Sequence, residues 1–188
     1  MLINNETIIK DSDPLIRQKS EPVSLPLSKE DETLLRELYQ YVEDSRDEEK
    51  AKEFNLRPAV GISAIQVGIP KQLTAVIVNE MDKDGKEVFY KYMLVNPKII
   101  SSSMQKAYLE NGEGCLSVEN VHEGYVVRSA RVTVKAFDLI QNKEITIRAR
   151  GYLAIVLQHE IDHFSGVLFY DHIDAKNPYP VIEEAIVI

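Results

Sequence analysis

Two histidines stand four residues apart in Gln158-His159-Glu160-Ile161-Asp162-His163, with a glutamate directly after the first. On a helix, residues i and i+4 share a face, so the two imidazoles can converge on one divalent metal ion. Glu160 lies about 100° further round. From there it can hold a water at the metal without being a ligand. The same five-residue pattern also arises by chance in proteins that bind no metal. Here, however, the surrounding segment from Gly151 to Phe164 is apolar nearly all round, through Leu153, Ile155, Val156, Leu157, Ile161 and Phe164. That pattern predicts a buried helix. Ionisable groups on a buried helix are costly unless they are paired or ligating, which favours the metal reading.

A catalytic site of this kind typically takes three protein ligands and keeps one position for water. A third histidine six residues after His163 would fit one class of zinc peptidase, but Phe169 stands there. Glu183 or Glu184 could serve as the downstream glutamate of a gluzincin-type peptidase, although few residues remain for the second subdomain such enzymes carry. The other candidate is the single cysteine, Cys115, in Glu113-Gly114-Cys115-Leu116-Ser117. Its thiolate would complete a Cys-His-His set with the fourth position open, a set suited to zinc and also to iron, nickel or cobalt. A structural metal site in a binding module is the non-enzymatic alternative; it would close the fourth position and leave Glu160 dispensable. A further segment, Val60-Gly61-Ile62-Ser63-Ala64-Ile65-Gln66-Val67-Gly68, lacks the ending of a phosphate loop. Read alone, it is a glycine-bounded turn of the core.

The elements that must position these residues follow from patterning. Ser28 precedes Asp31 by three residues, and Leu34, Leu35, Leu38, Tyr41 and Val42 follow at helical spacing. A helix is expected from about Lys29 to the Asp44–Glu48 region. Before it, Ile8 to Arg17 reads as an extended piece leading into a turn, and Val23 to Leu27 as extended, with Pro22 and Pro26 opposing a helix. Strands are expected at Leu73–Val78, Val88–Val95, Lys98–Ser101, Tyr125–Arg128, Val132–Phe137 and Glu144–Ile147, with Asn96-Pro97 as punctuation and a hairpin near Gln141-Asn142. Strands come first and the buried helix late, so the expected class is α+β, with mainly antiparallel sheets packed around one central helix that carries the HExxH motif. The tail from Val181 to Ile188 is open to reading as a strand, a short helix or a partner-binding end.

At 188 residues, a single domain over 1–188 is expected. The net charge of −8 argues against a nucleic-acid binder that neutralises phosphate. No apolar run approaches the roughly 20 residues of a membrane helix. One cysteine excludes an intramolecular disulfide and suits a reducing cytosol. Met1 to Lys10 lacks the basic start and apolar stretch of a signal peptide.

Taken together, the three motif segments resemble peptide deformylase, a family that pairs a G-x-G-x-A-A-x-Q stretch, an E-G-C-L-S stretch and a Q-H-E-x-D-H helix in this order. The resemblance spans Ala59 to His163 and extends to Leu168-Phe169-Tyr170-Asp171 and Asp13-Pro14-Leu15-Ile16-Arg17. The first motif departs twice, with Ala59 for its first glycine and Ser63 for its first alanine, and His172 replaces the usual arginine after Phe169-Tyr170-Asp171. The long stretch between Asn79 and Leu109 resembles the second type of the family, common in Gram-positive bacteria. The resemblance implies a cytoplasmic bacterial enzyme that hydrolyses the N-formyl group from formylmethionyl nascent chains, with formate as product and at most transient ribosome contact. It implies Cys115, His159 and His163 as ligands of Fe²⁺, for which Zn²⁺, Ni²⁺ or Co²⁺ can substitute. Glu160 is the implied general base and acid, and the Gln66 side chain with the Leu116 backbone N–H the implied oxyanion donors. Backbone at Gly61 and Gly114 would pair with the extended peptide. Ile155 and Val156, one turn before His159 and Glu160, would line the methionine slot with Val60, although ordinary core packing also accounts for both.

Overall fold

A computed structural model describes residues 3–188; the first two residues of the amino-terminal stretch read above lie outside it. Asp13 caps a short 3-10 turn, Pro14–Arg17. Helix α1 spans Lys29–Asp44, where the Ser28 hydroxyl accepts from the Asp31 N–H at 3.1 Å and acidic residues fill the first turn. A short helix α2, Glu48–Glu53, follows under an Asp47 cap. It carries no buried residue, so periodicity gave no sign of it.

Strands β1 (Gly61–Ser63), β2 (Leu73–Met81), β3 (Glu87–Ser102), β6 (Arg131–Asp138) and β7 (Lys143–Arg150) form one antiparallel sheet in the order β1-β2-β3-β6-β7. Strand β2 is a continuous apolar run because it is covered on both faces. Its Leu73, Ala75 and Ile77 pack with Leu34, Leu35 and Leu38 of α1. The alternate residues Val76 and Val78 pack with Leu153, Ala154, Val156 and Leu157 of α3, which spans Gly151–Asp162. Strand alternation thus sends odd residues of β2 to α1 and even residues to α3. The same alternation governs β1. Ile62 joins the α1 side, so Gly61 and Ser63 turn toward α3.

A second, three-stranded sheet has the order β5-β4-β8, from β4 (Lys106–Tyr108), β5 (Arg128–Ser129) and β8 (Ile186–Val187). The end of the tail, Ile186–Val187, is therefore a strand, paired in parallel with β4. Three expectations need correction. Asn96-Pro97 does not end a strand: β3 runs through it as a bulge, with a register shift between Val95 and Lys98 and Asn96 at φ +51°. The Asn96 side chain instead bonds the N–H and carbonyl of Val23 at 2.8 and 2.7 Å, so the extended Val23 segment is held by a side chain and not by a ladder. The strand expected over Tyr125–Arg128 keeps only Arg128, since β4 offers a ladder of three residues; Tyr125 stacks on Tyr108 with ring centroids 4.1 Å apart. Finally, α3 stops at Asp162, and His163 opens a 3-10 turn that Gly166 closes at φ +69°.

Candidate active site

The buried end of α3 meets the Cys115 loop and β1. Ligand atoms of Cys115, His159 and His163 all lie within 4.8 Å of one another. The Cys115 Sγ is 3.6 Å from the His163 Nε2. Burial pushes the thiol up, but the charge of His163 and hydrogen bonds from both imidazoles outweigh it and bring Cys115 down to about 6. The cysteine is therefore a thiolate at neutral pH, the form that binds metal. His159 loses to burial but is raised overall by its hydrogen bonds to Cys115 and Glu113. Its Nδ1 is 2.9 Å from the Glu113 Oε2, which fixes the ring and leaves Nε2 available to a metal ion, a carboxylate–histidine arrangement common at metal sites. One thiolate and two imidazoles so arranged fit a divalent transition metal. Glu183 and Glu184, the competing third ligands, are exposed on the tail and outside this cluster.

Glu113 is itself gripped by Arg128, through Nε–Oε1 at 2.5 Å and Nη2–Oε2 at 2.9 Å. Arg128 also donates to the Asp162 Oδ2 at 2.9 Å, which His172 meets at 2.7 Å. Both Glu113 and Arg128 are buried, and neither charge is left without a partner. The network ties the Cys115 loop, β5 and the end of α3 into one frame. Arg128 was not singled out from the sequence; a charge directly after the apolar Tyr125-Val126-Val127 was the available signal.

Gln66 sits in a 3-10 turn, Ala64–Val67, that follows β1 directly. Its Oε1 accepts the Ser63 N–H at 2.9 Å, which turns its Nε2 toward the Cys115 Sγ (3.4 Å) and the Ser117 Oγ (3.3 Å). Glu160 is buried against β1, where a Cβ on Gly61 would come within 2.5 Å of its Oε1. Glycine at 61 is thus a steric requirement of that carboxylate. The Leu116 side chain is core, and its carbonyl accepts from Lys10 Nζ (3.2 Å) and Arg57 Nη1 (3.3 Å).

A cavity of about 380 Å³ opens onto this frame. Val60, Gly61 and Gln66 line it from one side, Gly114, Cys115 and Leu116 from another, and Ile155, Val156, His159 and Glu160 from α3. Of the site residues that the family resemblance implies, only His163 does not line it; it is almost fully buried. Arg46, Arg57, Leu109 and Tyr152 also belong to the wall; no local motif marks them.

The sequence profile described as polypeptide deformylase matches residues 5–179. The chain belongs to the peptide deformylase family. It is 45% identical to peptide deformylase 2 of Bacillus cereus over 98% of this chain and 97% of that one, and 47% identical to the peptide deformylase of Staphylococcus epidermidis over 98% and 99%. Among solved structures, the peptide deformylase of Ehrlichia chaffeensis superposes with a TM-score of 0.74 at 28% identity, covering 95% of this chain and 91% of that one. A structure of that enzyme in complex with actinonin matches equally well, at 0.74. The α+β class with antiparallel sheet, expected above, is that of these deformylases. Peptide deformylases are metal-dependent hydrolases of protein biosynthesis that remove the formyl group from the N-terminal methionine of nascent peptides, and this chain is one of them.

Proposed function

We propose that the Cys115–His159–His163 cluster is the metal centre of this deformylase and that Glu160 is its general base and acid. The observation that carries the assignment is the convergence of three ligand atoms within 4.8 Å beside a carboxylate that hydroxyls hold at the cavity wall. Cys115, His159 and His163 would hold a divalent ion, which would act as a Lewis acid and lower the pKa of water toward 7. Glu160 takes a proton from the attacking water and delivers it to the amine that leaves as formate is released. The Gln66 Nε2–H and the Leu116 N–H face the oxygen that becomes negative, and one such donor is worth roughly 3 kcal/mol of barrier. Backbone at Gly61, on the free edge of the five-stranded sheet, and at Gly114 pairs with an extended peptide, which tolerates varied side chains after the first residue. The native ion is Fe²⁺, with Zn²⁺, Ni²⁺ or Co²⁺ as substitutes.

The chain acts as one metallohydrolase domain, 1–188, whose helices α1 and α3 pack about the central sheet, with His159 and Glu160 of the HExxH motif on the buried α3 and His163 in the turn that follows it. It works in the bacterial cytoplasm on chains emerging from the ribosome, with which it associates only transiently. Among the described residues, no helix is long and apolar enough to cross a membrane. Protein loaded with Fe²⁺ without oxygen should release formate from a formyl-methionyl dipeptide, one ion per chain. Fully loaded protein that leaves the formyl group in place would overturn the assignment.

Val60, Ile155 and Val156 form the slot for the methionine side chain. Ile155 is nearly fully buried, packed against Ala107, Ala130 and Leu109 while lining the cavity. Ile155→Phe should fill the slot and lower kcat/KM for formyl-methionine by tens-fold, with a smaller loss for formyl-alanine. The expectation rests on about 1–3 kcal/mol per methylene of fit. Equal losses on both substrates would make Ile155 a core residue without a role in selection.

A further inference from the structure

We infer that Ser63 is a positioning residue for Glu160, an inference that rests on the role given to Glu160 above. Ser63 stands where the family's first motif has alanine, and a methyl group at this place could bond nothing. Its side chain is completely buried, in a three-residue strand whose alternation turns residues 61 and 63 toward α3. There the Ser63 Oγ lies 2.7 Å from the Glu160 Oε2 and 3.2 Å from the Glu160 backbone oxygen. The hydroxyl has one hydrogen, and the shorter, charge-assisted contact to the carboxylate takes it. Thr74, the only other hydroxyl on Oε2 among the described residues, is 3.3 Å away and has a nearer acceptor, the Ile62 carbonyl at 2.9 Å. Ser63 is therefore the principal anchor of Oε2. The opposite oxygen, Oε1, lies over Gly61, a residue of the cavity wall.

The consequence is an asymmetric carboxylate, with one oxygen tied to β1 and the other directed to the reaction side. Without the Ser63 hydroxyl, the Glu160 side chain keeps only the longer Thr74 contact and can rotate away from the proton it must take. Misplacing a reacting group by an ångström costs up to about 100-fold in rate. Ser63 also ties Glu160 to Gln66, whose Oε1 accepts the Ser63 backbone N–H. That backbone bond survives any substitution except proline, so a side-chain variant isolates the hydroxyl's effect on Glu160.

The experiment is a double-mutant cycle of Ser63→Ala and Glu160→Ala, with metal content, kcat and KM for a formyl-methionyl peptide measured on each metal-loaded preparation. Ser63→Ala alone should keep one ion per chain and an unchanged KM, and lose about 10-fold in kcat. In the Glu160→Ala background the same substitution should change kcat by less than about 2-fold, because the carboxylate it positions is gone and the hydroxyl retains only the backbone oxygen of residue 160. A Ser63→Ala loss that persists undiminished in that background, or a loss carried by KM or by metal, would overturn the positioning role, as would unchanged kcat. Near-native turnover in Glu160→Ala alone would instead overturn the assignment of Glu160, so the two failures are separable.

Discussion

Glu160→Ala is expected to bind a full complement of metal, to fold normally, and to turn over at least about 100-fold more slowly, the low end for loss of a general acid–base group. The cluster that could hold the ion is formed by Cys115, His159 and His163 and does not include this carboxylate, so the ion should stay. The fold should tolerate the change because the hydroxyls that hold the carboxylate have other acceptors. Ser63 can donate to the Glu160 backbone oxygen at 3.2 Å and Thr74 already has the Ile62 carbonyl at 2.9 Å. No buried donor is left without a partner, the condition that usually makes such a deletion costly. Glu160→Gln keeps the shape but accepts no proton, and should be impaired to a similar degree. Metal analysis and steady-state kinetics on the same preparation decide it. A Glu160→Ala protein that loses its ion, or that turns over near the native rate with the ion bound, would contradict the mechanism at its centre.

Removing any one ligand should have the larger effect. His159→Ala, His163→Ala and Cys115→Ser should each hold well below one ion per chain and lose at least about 10³-fold in activity, since the ion contributes several kcal/mol of charge stabilisation. Cys115→Ser is the most informative of the three. The native thiol is brought down to about 6 and is ionised at neutral pH, whereas a serine hydroxyl is not, and its oxygen is a poorer partner for a soft site. If a downstream glutamate were the third ligand, this substitution would spare the metal. His159→Ala leaves Glu113 with both bonds from Arg128, so the frame around the site should persist and the loss should be of metal, not of fold. Stoichiometric metal in any of the three variants, measured alongside a cooperative thermal transition, would show the site to be wrongly drawn.

Local rules sufficed for whatever depended on neighbours in sequence. The i, i+4 spacing of His159 and His163, the all-round apolarity of α3, the Ser28 cap of α1 and the alternation of β6 and β7 are each written within a dozen residues, because helix and strand periods are properties of the local backbone. Spacing alone left the third ligand open between Cys115 and Glu183 or Glu184, and only the resemblance to a family implied Cys115. Tertiary structure brings a loop 44 residues before His159 onto the helix face and sends the tail to pair with β4 instead. The same holds for the frame. Arg128 reaches both Glu113 and Asp162, and Ser63 reaches Glu160 across 97 residues. Neither partner can be read from periodicity, because a buried charge or hydroxyl is defined by what packs against it. Strand β1, buried at all three residues, has too few positions to show a period of two. Only its pairing with β2 decided that Gly61 and Ser63 face the carboxylate while Ile62 faces α1, and that one choice of face positions Glu160.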